Sequence, residues 1–350
     1  MRFALAIGPG SWLRENGIER TRELVSRADG AGFDTVWASE DPDGWDAFAA
    51  LSSLAGATER IRLGTGVTNP YLRHPNLIAA SVATLDRVSG GRAFLGLGRG
   101  EPDWYRNAFG IEIGSPLKRV EETISLLRQW WSSEQVASSD GQLPVRSWRR
   151  EFAPVNQPPI YLAATGPKMQ RLAGRLADGV RFNTLASLPF LRESVAHVRA
   201  GADESGRSST SLRIFANPSL KITGRDDEIE PALERHKGTI ALIHALPGMD
   251  RQLMGLDFDI ERIVAEVRRL MRTDEVLARG GSFADLRRAG DLAAAKRAIP
   301  TELVEQVAVI GSADKIRTRI AEYALAGITD VFVDPWQLTD HVLIADLDKL

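Results

Sequence analysis

The run IRLGTGVTNPYLRHPNLIAASVATLDRVSGGRAFLGLGRGE, residues 61–101, decides the fold. RLGTGV (62–67) is a short apolar and β-branched segment that reads as a buried strand. From about Pro75 to Val88 apolar side chains recur on a helical period, with Leu77, Ile78, Ser81, Val82 and Leu85 on one face. Ser89-Gly90-Gly91 ends the helix, and AFLGLG (93–98) is the next strand. Both strand exits carry polar side chains or bare backbone. They are Gly66-Val67-Thr68-Asn69 after the first strand and Gly98-Arg99-Gly100-Glu101 after the second. Such exits suit a ligand.

The same alternation extends in both directions. FALAI (3–7) and TVWAS (35–39) precede the run, each followed by a helical stretch. A helix from about Pro116 to Trp131 follows it. Then come IYLAA (160–164), VRFNT (180–184), LRIFANPSLKI (212–222) and TDVFVDP (329–335) as further strands. Strands alternating with helices pair in parallel and are buried on both faces. Eight such units predict an α/β fold of the TIM (β/α)8 barrel type. An open doubly wound sheet would stop at five or six strands and carry its glycines after the first. Here they follow the third, fourth and fifth. In a barrel the chemistry gathers at the C-terminal strand ends. These read Gly8-Pro9-Gly10, Ser39-Glu40-Asp41, the two exits quoted above, Ala164-Thr165-Gly166-Pro167, Asn183-Thr184 and Asp334-Pro335.

Two segments interrupt the pattern within what reads as a single domain over 1–350. Residues of about 132–159 are polar, turn-rich and strand-poor. Residues of about 224–300 are mostly helical, and read either as a lid or side wall of the site or as a solvated appendage.

Composition narrows the function. A formal charge of −2 over 350 residues offers no basic surface for a nucleic acid. The chain has no cysteine, which excludes disulfides, thiol nucleophiles and Cys-ligated metals. No apolar run has the length of a membrane span, and MRFALAIGPG reads as a strand rather than a signal peptide, so a cytoplasmic location is expected. His74, His197, His236, His244 and His341 show no metal-binding spacing, and no metal site is expected. His74, just before Pro75, reads as a helix-entry packing residue. There is no GxSxG and no GxxxxGK[ST], and GLGRGE (96–101) has Glu101 where a dinucleotide fingerprint needs its third glycine.

Three loops remain. Thr165-Gly166-Pro167-Lys168 opens a helix with proline in its first turn. Free N–H groups and the positive dipole end of such a helix bind phosphate, and Lys168 adds a charge. An ordinary turn capped by Thr165 is the alternative. Gly98-Arg99-Gly100 combines close backbone approach with a guanidinium, which suits a phosphate or carboxylate. Thr68 and Asn69 offer hydrogen bonds at the third strand's exit. Among the rim carboxyls Glu40, Asp41 and Glu101, one desolvated beside Trp45 or Trp104 would hold a proton at neutral pH.

The stretches MRFALAIGP, GFDTVWAS, GTGVTNPYLRHP, SGGRAFLGLGRGE, PIYLAATGPKMQRLAGRLADGV and LAGITDVFVDP together resemble the bacterial luciferase-like superfamily. GVTNPYLRHP and AATGPKMQRLAG resemble its branch that binds the deazaflavin coenzyme F420, in particular the methylenetetrahydromethanopterin reductases. The resemblance implies a TIM barrel, a homodimer and a deazaflavin ring at the C-terminal mouth. It also implies a non-proline cis peptide between Gly66 and Val67, forming a bulge behind the ring. By the same resemblance Ser39, Asn69 and the Arg99-Gly100 pair contact the cofactor, and Thr165 and Gly166 hold its phosphate. Gly66, Val67, Thr68, Gly98, Trp104, Ala164, Pro167 and Lys168 are taken with them as the cofactor-binding set. Glu101 matches a glutamate that F420-dependent sugar-phosphate dehydrogenases place beside the ring. Ser39-Glu40 stands where those enzymes carry Asp-His, and Ala6 where the methanopterin reductases carry a glutamate, so neither substrate is implied. The expected activity is hydride transfer between the deazaflavin C5 and a small organic substrate, with Glu101 as proton donor or acceptor and Glu40 as second candidate. An FMN-dependent monooxygenase and a barrel without catalysis are the alternatives.

Overall fold

The computed structural model describes residues 1–8, 13–42, 44–132, 135–138 and 141–333. In chain order the strands are β1 (Arg2–Ile7), β2 (Thr35–Ala38), β3 (Arg62–Thr65), β4 (Ala93–Leu97), β5 (Val136–Ser138), β6 (Val145–Trp148), β7 (Ile160–Ala163), β8 (Gly179–Thr184), β9 (Arg213–Ile222), β10 (Ile310–Gly311) and β11 (Asp330–Val333). Parallel pairing runs β1–β2–β3–β4–β7–β8–β9–β11, and β11 returns to β1, with Ala4 opposite both Thr35 and Phe332. Eight strands therefore close a barrel, as the alternation predicts. Pro9-Gly10 and Asp334-Pro335, two of the expected rim segments, lie outside the described residues.

Helices α1 (Arg14–Gly30), α2 (Ala47–Ala55) and α3 (Pro75–Val88) cover the first strands; α4 (Pro102–Phe109) is a short extra helix after β4; α5 (Pro116–Trp131), α6 (Pro167–Leu176) and α7 (Leu188–Glu204) follow. α3 begins and ends where its periodicity predicts. His74 caps its N-terminus, with Nδ1 accepting from the Asn76 N–H at 3.1 Å. Leu77 is the exception on its face and is exposed, while Ile78, Val82 and Leu85 are buried.

Inside the barrel the side chains of Trp37, Phe94, Tyr161, Phe215 and Phe332 form an aromatic plug, with the Trp37 and Phe94 rings 4.5 Å apart. Its fit requires Gly96, where a Cβ would lie 1.9 Å from the Thr65 carbonyl oxygen. Below the plug Asp330 is fully buried and paired with Arg2 and Arg213, and Arg213 also reaches Asp34 at 2.6 Å. These pairs close the N-terminal end.

The strand-poor segment before β7 carries one short antiparallel pair, β5 with β6. Both strands are very short and largely exposed, so they lack the alternation that marks a strand in sequence. The later segment comprises α8 (Asp226–Thr239), a π-helical turn (Ile240–His244), a 3-10 turn (Asp250–Leu253), α9 (Ile260–Met271), α10 (Thr273–Ala278), α11 (Phe283–Ala289), α12 (Leu292–Arg297) and α13 (Thr301–Val307). It therefore runs past Pro300, before β10 extends the edge of β9 and α14 (Ala313–Leu325) resumes the barrel's outer layer. This segment builds a second apolar core with Tyr71, Trp104 and Tyr105 from the barrel's loops, which anchors it over the C-terminal mouth.

Candidate functional site

The exits of β2, β3, β4, β7 and β8 open on a cavity of about 970 Å³, whose outer wall comes from the helical segment through Ile243, Leu246, Met249, Met254 and Phe283. A cavity of this size accommodates a cofactor and a substrate together.

At the β3 exit the peptide joining Gly66 to Val67 is cis. The Gly66 N–H donates to the Ala38 carbonyl at 2.6 Å, and the Gly66 carbonyl accepts from Ser39 Oγ at 3.2 Å and from the Arg181 guanidinium. Beyond it the Thr68 N–H donates to Gly96 at 3.0 Å, and the Gly98 N–H donates to Thr68 at 2.9 Å, which fixes the two loops to each other. Asn69, which lines the cavity, turns its Oδ1 to accept from the N–H groups of Tyr71 and Leu72 in an Asx turn. Thr68 does not line the cavity. It is fully buried and its hydroxyl donates to Glu40.

Glu40 accepts on both oxygens, from Thr68 and from Arg73 Nε at 2.6 Å, and Arg73 also binds Asp46. A carboxylate engaged in this way braces the β2 and β3 loops. Glu40 lines the cavity as expected, but with a hydrogen bond already on each oxygen it is more constrained as a proton carrier than Glu101.

Glu101 differs. It caps α4 weakly, Oε1 accepting from the Asp103 N–H at 3.4 Å, while Oε2 is buried at the cavity with no partner. Burial pushes its carboxyl above the usual range, with the nearby Arg99 charge acting against it. Arg99 lines the cavity and makes no hydrogen bond or ion pair among the described residues. Gly100 has φ +62°, and a Cβ there would lie 1.8 Å from the Tyr105 hydroxyl, so only glycine lets Tyr105 fold back under the loop. Burial raises the Tyr105 hydroxyl as well. Trp104 is buried, with its ring edge-on to Phe283 at 4.8 Å, and dries the Glu101 side of the cavity. Of the two tryptophans expected beside a rim carboxyl, Trp104 takes that place, while Trp45 is exposed and does not line the cavity.

At the β7 exit Gly166 is the N-cap of α6, with no side-chain cap, and Pro167 opens the first turn. Thr165 is therefore not the cap. Its hydroxyl points to Met249 Sδ at 3.7 Å, and the helix start is left to the cavity. Gln170 holds the loop from behind, donating to the Thr165 carbonyl at 3.0 Å. Lys168 flanks the helix start, and Arg251 of the helical segment comes to 4.0 Å from the Cβ position of Gly166. Cations and free N–H groups converge there, as an anion site requires.

The structure thus gathers Ser39, Gly66, Val67, Asn69, Gly98, Arg99, Gly100, Glu101, Trp104, Ala164, Thr165, Gly166, Pro167 and Lys168 around one cavity. Asn183, at an expected strand end, lines it as well, and so do Tyr105, Arg181 and Arg251, which were not singled out in the sequence. Arg181 had a signal: alternation along GVRFNT sends positions 179, 181 and 183 inward, and a charged residue inside a barrel strand is rare. Arg251 had none, because its approach depends on how the helical segment packs.

Residues 1–330 match the family model for luciferase-like monooxygenases. The chain is 31% identical over 306 residues to the 5,10-methylenetetrahydromethanopterin reductase of Methanolobus tindarius, covering 87% of this chain and 86% of that one. It is 32% identical over 336 residues to a putative coenzyme F420-dependent oxidoreductase of Mycobacterium tuberculosis, covering 89% of each. Its fold matches the solved structure of the coenzyme F420-dependent tetrahydromethanopterin reductase of Methanopyrus kandleri with a TM-score of 0.76, at 23% identity and 96% coverage of both chains.

Proposed function

The chain belongs to the luciferase-like monooxygenase family, and from that premise we propose that it is a coenzyme F420-dependent oxidoreductase acting on a small organic substrate. Two relatives whose names carry F420 or methanopterin chemistry support the cofactor. The observation that carries the chemistry is Glu101, a buried carboxyl with one oxygen unpartnered at the cavity and its proton affinity raised by burial.

The residues present fit the cofactor. The uncapped start of α6, with Ala164, Thr165, Gly166 and Pro167 around it and Lys168 and Arg251 beside it, would hold a phosphate. Ser39, the Gly66-Val67 peptide and Asn69 would back the ring. Gly98, Gly100 and the Arg99 backbone would bound it on the β4 side, next to Trp104.

When bound, a deazaflavin supplies or accepts a hydride at C5 and reacts poorly with oxygen. The protein's part is orientation, dryness and one proton. Glu101 gives that proton to the substrate atom that gains charge on reduction, or takes it back on oxidation. Trp104, Phe283, Ile243 and Leu246 exclude water from the same end. Glu40, Thr68 and Arg73 keep the rim rigid.

Titration of the protein with F420 and with FMN, followed by absorbance, tests the cofactor. F420 binding is expected, and tight FMN binding without F420 binding overturns the reading in favour of a monooxygenase. Reoxidation of reduced F420 across a panel of ketones, imines and activated alkenes then finds the substrate. The reading includes a cytoplasmic homodimer. Exposed Leu77 and Val88 on α3, with Trp148 and Val155 in the segment that Arg87 and Arg150 tie to that helix, support the pairing surface. Sedimentation of the protein at micromolar concentration checks it.

A further inference from the structure

Two arginines point into the barrel, one on each side of the aromatic plug. Arg213, below it, lies over Tyr161 and Phe215 and is paired with Asp330 and Asp34. Arg181, above it, lies 5.4 Å from the Trp37 ring centre and 5.0 Å from that of Phe332. Its guanidinium donates to the Gly66 carbonyl, its Nε is buried without a partner, and it pairs with no carboxylate among the described residues. Burial pulls this arginine down to about 10, with only the Asp41 charge acting in the other direction. A guanidinium left in a cavity floor on these terms costs free energy that a carboxylate would offset. Among the described residues no carboxylate forms an ion pair with it, Asp41 acting only through its charge, and the group faces the cavity.

We propose that Arg181 is the charge partner of the cofactor's ring system, selecting the ring in its anionic form while it holds the Gly66 carbonyl behind that ring. This rests on the F420 reading above. The 8-hydroxydeazaflavin ring is an acid whose negative charge spreads from the phenolic oxygen into the pyrimidine, and its absorption reports that charge. The oxidised isoalloxazine lacks this acidic hydroxyl, so Arg181 also favours the oxidised deazaflavin over oxidised FMN. Rings of Trp37 and Phe332 keep the cation dry on its far side, which strengthens its field toward the cavity.

Absorbance titration against pH with F420 and with its phosphate-free riboside is the test. Bound to the wild-type protein, both pigments are expected to change from neutral to anionic form at least one pH unit below the free pigment. Arg181→Met should return the transition to that of the free pigment and weaken the riboside and F420 alike, at least tenfold, whereas Arg181→Lys retains most of the shift. A bound transition at or above that of the free pigment overturns the proposal and needs no variant. So does an equal shift in the Met variant, or a loss confined to F420, which would place the charge effect on the phosphate tail. Failure of the wild-type protein to bind either pigment instead removes the F420 reading itself.

Discussion

The two ends of the barrel handle charge in opposite ways. At the N-terminal end Asp330 is fully buried and ion-paired with Arg2 and Arg213, and Arg213 is also paired with Asp34. At the C-terminal mouth Glu101 Oε2 and Arg181 Nε are buried without partners, and Arg99, Lys168 and Arg251 line the cavity unpaired among the described residues. Paired charge holds a structure together, while unpaired charge at a cavity is available to a ligand. Even within the mouth the contrast recurs, since Glu40 is locked by Arg73 and Thr68 and Glu101 is not.

Replacing Glu101 by Gln should break the mouth alone. Turnover is expected to fall by about 10²–10⁴, the usual contribution of a positioned proton carrier, with F420 affinity and melting temperature retained. Steady-state kinetics beside a cofactor titration check this, and unchanged turnover removes the assignment. The mirror experiment is Asp330→Asn, which removes one of the two carboxylates paired with Arg213 in the core and leaves it Asp34. It should cost about 3–5 kcal/mol of stability, measured by denaturant unfolding, with the cofactor affinity of the folded fraction unchanged.

Smaller effects sharpen the contrast. Lys168→Ala and Arg251→Ala should each weaken F420 by about tenfold at low salt and by less at high salt, because exposed charges are screened; the riboside lacking the phosphate should not notice either change. Smallest is the pH dependence of stability. Burial favours protonated Asp330, but hydrogen bonds from Arg2 and Arg213 outweigh it and hold the carboxyl below its usual value. Its contribution is therefore present above the unfolded carboxylate range of about 4 and lost as pH falls through the lower folded value. Glu101 has the opposite sign. Its raised value makes its contribution full in acid and lost as pH rises through that value. Unfolding midpoints against pH should show the acid loss vanish in Asp330→Asn and the loss at rising pH vanish in Glu101→Gln.

Most of the barrel was legible because its strands are buried on both faces and its helices on one, and such burial leaves a period in the sequence. The α3 limits and all eight barrel strands could be read this way. The hairpin of β5 and β6 could not, since exposed strands of three and four residues leave no pattern. At the site, Glu101 and the Thr165–Lys168 loop were visible as residue types at strand exits. The separate fates of Glu40 and Glu101 were not, because Arg73 reaches Glu40 from another loop. Trp45 and Trp104 were equivalent on paper, yet only Trp104 is packed into the cavity wall.

The sequence by itself determined the alternation that closes a barrel, the strand ends at which chemistry gathers, and the proline-opened helix start suited to an anion. These are local or periodic properties, written in the order of residues along the chain. The tertiary structure alone decided which carboxyl keeps an unpartnered oxygen, that Arg181 stands dry above the aromatic plug, and that the helical segment brings Arg251 to the start of α6. Those outcomes depend on contacts between residues far apart in the chain, where packing and desolvation set the energy of each charge.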